Sequence, residues 1–107
     1  MKNYPKASVS HDQAVTQDLR ADPELAAAYL QAALEDSEEP AVLLIALRRV
    51  VSAYGMQTVA NQAVIKRESL YRALSAKGNP TVKTLAAVLK TVGLRLTVTK
   101  DGMRATA

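Results

Sequence analysis

Along most of the chain, apolar side chains recur every three or four residues, the spacing that puts them on one face of an α-helix. Residues 1–9 contain Pro5 and lack that period, which predicts an extended lead-in. Ser10 is suited to cap a short helix ending near Arg20, with Asp12 in the first turn, where the positive end of the helix dipole favours an acid. Asp22 followed by Pro23 is a second start, since aspartate accepts a bond from an orphan amide and proline fits the first helical position. The helix it opens is expected over 23–36, with Leu25, Ala28, Tyr29, Ala32 and Ala33 on the inward stripe and Leu30 and Leu34 on a flanking line. So many alanines imply close packing on a neighbouring helix. Ser37, Glu38, Glu39 and Pro40 form a polar stop and the best candidate for a boundary.

Helical spacing resumes over 41–54, where Leu44, Leu47, Val51 and Tyr54 share a face, Arg48 and Arg49 fall off it, and Gly55 stands in the C-cap position. A short helix over 57–63 turns Val59, Ala60 and Ala63 inward. After a three-residue break another is expected over 67–76, burying Leu70, Ala73 and Leu74 and leaving Arg67, Glu68, Ser69 and Arg72 outside. Lys77, Gly78, Asn79 and Pro80 end it. Thr81 caps a last helix whose apolar face is Leu85, Ala86, Val88, Leu89 and Val92 and which Gly93 closes. Leu94, Leu96 and Val98 then alternate with Arg95, Thr97 and Thr99, a period of two that predicts a half-buried strand. A lone strand in a helical protein needs a partner, and a symmetry mate in a homodimer would supply one. No internal repeat or low-complexity tract is present.

The chain has 107 residues, enough for one small domain or one domain with an arm, and room for a single core. It contains no cysteine, which excludes a disulfide framework, a thiolate metal cluster and a cysteine nucleophile, and the expected location is the cytoplasm. The longest apolar run, residues 41–47, falls far short of the roughly 20 residues a membrane span needs, and no secretory signal follows the first lysines. Charge changes the picture more. Residues 1–40 carry three basic against eight acidic side chains, a net of −5, whereas residues 41–107 carry eleven basic against two acidic, a net of +9. The division suggests an N-terminal helical extension over 1–40, a basic unit over 41–100 and a disordered tail over 101–107. A compact unit with that excess attracts polyanions at long range, and nucleic acid is the foremost of them.

Two short helices separated by a tight break, the second exposing arginines at its amino end, form the arrangement that a DNA-reading helix-turn-helix needs. Only the first turns of such a helix reach base edges in a major groove about 12 Å wide. That selects Arg67, Glu68, Ser69 and Arg72 for base readout: arginine donates twice to guanine, glutamate accepts from a cytosine amino group, and serine is permissive. The amino end of the preceding helix faces a phosphate in this geometry, so Gln57 and Thr58 are candidate positioning contacts. Lys66, Lys77, Asn79 and Lys83 flank the groove and would add affinity without sequence preference.

Residues 56–98 resemble the antidote proteins of bacterial addiction modules, a HigA-like branch of the Cro/XRE helix-turn-helix regulators often found in prophages. The resemblance is carried by the stretch from Arg67 to Ser75 (RESLYRALS), the Gly78, Asn79, Pro80 stop, the Thr84, Leu85 pair and the ending Val92 to Leu96; upstream, Ala27 to Leu30 and Ala32 to Glu35 are similar to the helix such proteins place before the DNA-binding unit. It covers residues 10–99. It implies an all-α, lambda-repressor-like helix-turn-helix bundle preceded by two helices and followed by a short C-terminal β-strand. It also implies a dimeric antitoxin that represses its own operon by binding double-stranded DNA and, in many such modules, holds a small basic ribonuclease toxin of the RelE superfamily. The strand residues Leu94, Leu96 and Val98 would then meet their symmetry mates. Two positions depart from the family's pattern. Val64 stands where the turn usually has glycine, which implies another turn conformation or strain of about 1–3 kcal/mol; Lys66 stands where serine or threonine usually caps, so about 1 kcal/mol of capping is missing.

Other readings compete for some residues. His11 has no partner nearby in sequence and reads as exposed rather than as a catalytic base. Glu35, Asp36, Glu38 and Glu39 lack the alternating ligands and central glycine of a calcium loop, so they read as a solvated helix end. Tyr71 is equally suited to stack on a base or to pack on its own domain. No cofactor is expected, and an enzyme is disfavoured because no nucleophile and base are paired. The alternative to a DNA-binding regulator is a protein-interaction module that neutralises a toxin by contact alone and keeps the helix-turn-helix only as scaffold.

Overall fold

The computed structural model describes residues 19–36 and 38–101. The expectations for Ser10, His11, Asp12 and Ser37, and for the tail beyond Asp101, lie outside those residues. Residues 19–21 are helical and Leu19 is buried in the core. Five helices follow: α1 (Pro23–Asp36), α2 (Pro40–Tyr54), α3 (Met56–Ala63), α4 (Arg67–Ala73) and α5 (Val82–Thr91). α1 packs on α2, and α3 lies at the centre, touching α2, α4 and α5. One cluster runs through the chain from Leu19 and Leu30 through Leu47, Val50, Val51 and Val59 to Leu70, Leu74, Val88 and Val92, and no polar side chain is buried among the described residues.

Local chemistry sets the helix ends. The Asp22 carboxylate accepts from the amides of Glu24 and Leu25 at 3.0 and 3.2 Å, and Pro23 takes the first helical position, as the sequence suggests. At α5 the Thr81 hydroxyl accepts from the Thr84 amide at 3.0 Å. α2 begins at Pro40, one residue earlier than expected, because proline needs no amide partner at a helix start. Gly55 then turns the chain through 97° between α2 and α3 with φ at +105°, a value that L side chains rarely adopt. No single described helix is long and apolar enough to cross a membrane.

Four expectations are corrected. Ala86, expected on the apolar face of α5, is exposed, because Leu85, Val88, Leu89 and Val92 already form the stripe that meets the core and Ala86 lies beside it. The inward face of α1 consists of Ala26 and Leu30 with half-buried Tyr29 and Ala33, whereas Leu25, Ala28, Ala32 and Leu34 are exposed. This helix is apolar nearly all round, so its own pattern permits two phases and the contact with α2 selects one. α4 ends at Ala73 rather than Ala76, because the Ser75 hydroxyl donates to the Arg72 carbonyl at 2.8 Å and the chain closes into a turn, with the Gly78 amide donating to the Ser75 carbonyl. No strand forms over 94–99. A strand exists only through its ladder, and no described segment supplies one. Leu94 is instead tied back, its amide donating to the Leu89 carbonyl at 2.8 Å, while Leu96 and Val98 are exposed.

The ends of α3 and α5 are built alike. After α5 the Gly93 amide donates to Lys90 and the Leu94 amide to Leu89; after α3 the Val64 amide donates to Asn61 and the Ile65 amide to Ala60. Both are Schellman closures, in which the pivotal residue must be left-handed and the next apolar residue folds back on the core. Gly93 has φ of +83° and Val64 has φ 58°, ψ 51°. Valine is therefore held in the conformation the family resemblance assigns to glycine, with its side chain 88% exposed and contributing little burial to offset the strain. Val64→Gly is expected to stabilise the protein by about 1 kcal/mol and Gly93→Val to destabilise it by at least as much, measured by chemical denaturation. Unchanged or reduced stability in Val64→Gly would contradict the strain.

Candidate nucleic-acid interface

α3 and α4 are joined by Val64, Ile65 and Lys66, and the Schellman closure decides how they meet. Ile65 is half-buried against the core, which pins the connection from inside while Val64 and Lys66 stand outside. Leu70 and Leu74 are both fully buried and anchor α4 by one side. Its seven residues span about 10 Å at 1.5 Å per residue. Arg67, Glu68 and Arg72 are exposed on it and Ser69 is half-buried, accepting a long 3.5 Å bond from the Arg72 guanidinium. The sequence-selected readout residues therefore share one short, anchored helix.

The candidate phosphate contacts lie on α3, in the turns that flank α4 and on α5. Lys66 occupies the N-cap of α4 with φ −63° and ψ 141° and gives no side-chain cap, so the amide end is left uncapped. Gln57 and Thr58 are exposed in the first turn of α3, but the Gln57 amide nitrogen donates to Asn61 at 2.9 Å and is engaged within its own helix. Lys77 and Asn79 lie in the turn after α4 and Lys83 in the first turn of α5, all exposed. None of the described acidic residues beyond Asp36 lies on α3 or α5, and Glu68 is the acid of α4. The dimer-strand residues are not part of this group: Leu94 packs on the core, and Leu96 and Val98 are exposed in the segment after α5.

The sequence left Tyr71 open and placed Arg48 only off the apolar face of its helix. In the structure Tyr71 is partly exposed on α4, with the Arg48 guanidinium carbon of α2 at 4.9 Å from the ring centroid and that of Arg67 at 5.8 Å. Each cation–π contact at an exposed site contributes about 0.5–1 kcal/mol, which biases the arginine rotamers several-fold without locking them. The only sequence signal for Arg48 is that it lies off the apolar face of α2; its meeting with Tyr71 is a tertiary fact.

Gly78 sets the path of the turn that carries Lys77 and Asn79. A Cβ there would run into the carbonyl oxygen of Ala73 and crowd that of Arg72, both backbone atoms that cannot yield as a side chain would. Gly78→Ala is accordingly expected to cost about 1–3 kcal/mol of stability, a figure typical of overpacking, with a matching fall in melting temperature. A neutral effect would show that the turn relaxes freely.

A family model described as "Probable addiction module antidote protein" matches residues 11–100. A protein of Haemophilus influenzae, described as "Uncharacterized protein", is 42% identical over 64 residues, which cover 60% of this chain and 64% of that one. This chain therefore spans under two thirds of that relative's length. No solved structure matches.

Proposed function

The chain belongs to the family of probable addiction module antidote proteins, and from that premise we propose that it is an antitoxin that also binds double-stranded operator DNA through α4 and represses its own operon. The observation that supports the DNA reading is that Arg67 and Arg72 are exposed on one anchored helix whose flanking turns carry exposed Lys66 and Lys77, in a part of the chain with a net charge of +9. In this reading α3 and α4 are the two helices of a Cro/XRE-type helix-turn-helix of the HigA-like branch. Arg67, Glu68, Ser69 and Arg72 face base edges, and Thr58, Gln57, Lys66, Lys77, Asn79 and Lys83 meet phosphates. A homodimer would present two copies of α4 about one helical turn of DNA apart, and the exposed Leu96 and Val98 are the residues for contact with the partner's copy, while Leu94 stays on the core. The protein acts in the cytoplasm, where its operon is.

The toxin is the second partner. α1 carries Glu24, Glu35 and Asp36 and no basic residue, and it leaves Leu25 and Leu34 exposed, while Ile45 is exposed on α2 beside it. Apolar anchors among acids fit a basic protein, such as a small toxin of the RelE superfamily.

Two experiments test these assignments. On duplex DNA from the region upstream of its own coding sequence, Arg67→Ala and Arg72→Ala are expected to lose about 1–3 kcal/mol each on the cognate sequence only, whereas Lys83→Ala weakens every sequence alike. Equal affinity of wild type and both arginine variants would remove base readout and leave an antidote acting by contact. For the toxin, the full-length charge reversals Glu24→Lys and Asp36→Lys are expected to weaken co-purification with the product of the adjacent reading frame while leaving DNA affinity in place; unaffected co-purification would place the toxin elsewhere.

A further inference from the structure

We propose that Arg48, on α2, is part of the DNA-binding surface as a phosphate ligand, and that Tyr71 is the platform that positions both it and Arg67; the inference rests on the DNA reading above and extends it to a helix outside the α3–α4 pair. Arg48 is exposed and lies off the buried face of α2 formed by Leu44, Leu47 and Val51, so packing of the helix does not account for where its guanidinium sits. It sits over the ring of Tyr71 at 4.9 Å, and the ring also holds the guanidinium of Arg67, the first residue of α4, at 5.8 Å. The two guanidinium carbons cannot be further apart than those two distances together, which is less than the width of a major groove, about 12 Å. In this proposal a duplex that seats α4 in its groove has its backbone at Arg48.

The chemistry of this cation–π pair favours an anion. A cation–π contact draws on the charge of the guanidinium and offers no lone pair to its five N–H donors, which stay available to an acceptor. Two cations gathered on one ring also concentrate positive charge, which a phosphodiester oxygen would neutralise while accepting a charge-assisted bond. Arginine suits this position better than lysine because it can stack and donate at once. Tyr71 is thereby a positioning residue: it touches no phosphate itself and acts through Arg48 and Arg67.

The test is the salt dependence of duplex binding by the full chain, measured by fluorescence anisotropy on the upstream DNA and on a scrambled duplex of equal length, with thermal melts to show that each variant is folded. Arg48→Ala is expected to lower the slope of log affinity against log salt by about 0.9, the value of one phosphate contact, and to weaken both duplexes by the same factor. Tyr71→Leu is expected to lower that slope and also to narrow the ratio between cognate and scrambled DNA, because Arg67 loses its platform. Tyr71→Phe keeps the ring and is expected to match wild type. An unchanged slope in Arg48→Ala, or a Tyr71→Phe variant as impaired as Tyr71→Leu, would overturn the inference and leave the DNA reading standing. Failure of the wild type to bind any duplex would overturn both.

Discussion

α3 has only eight residues with which to hold three neighbours, and its burial of Met56, Val59 and Ala60 is the constraint from which the rest of the arrangement follows. Isolated, a helix of that length would be unstable in water, so its existence depends on α2, α4 and α5 closing around it. Ala60 matters for its smallness: it is fully buried, and its carbonyl also receives the Ile65 amide that turns the chain toward α4. The same residue thus serves the core and the turn. Once α3 is seated and Ile65 and Leu70 are drawn inward, α4 can bury only its Leu70 and Leu74 side, and the arginines of its first and last turns are left to solvent.

That geometry explains why a family member can carry valine where glycine would be easier. Two amide-to-carbonyl bonds and the burial of Ile65 hold the Schellman closure, and burying an isoleucine contributes on the order of 1.5–3 kcal/mol. Left-handed strain of about 1–2 kcal/mol at Val64 is outweighed by those terms together. The turn conformation is therefore dictated by the core, and the residue at its apex bears the cost. Gly93, at the equivalent place after α5, shows the same closure without strain.

The helical elements of the basic half were legible because their apolar residues admit one phase: Leu44, Leu47 and Val51, then Val59 and Ala60, then Leu70 and Leu74 are buried as their spacing predicts. α1 was not legible in the same way, since alanines and leucines surround it and only contact with α2 selects Ala26 and Leu30. The strand was misread because alternation describes a side-chain pattern and says nothing of the neighbour that a ladder requires. Within the candidate site, residues local to α4 could be selected from spacing, whereas the approach of Arg48 to Tyr71 joins positions on different helices and leaves no mark in the sequence.

The outward face of α4 is the surface proposed to meet DNA. The most direct measurement follows the backbone amide resonances of the full chain as a duplex from its own upstream region is added. Shifts are expected to centre on residues 66–72, with smaller ones at Thr58, Lys77 and Lys83. Shifts confined to α1, or none at all at low salt, would contradict it.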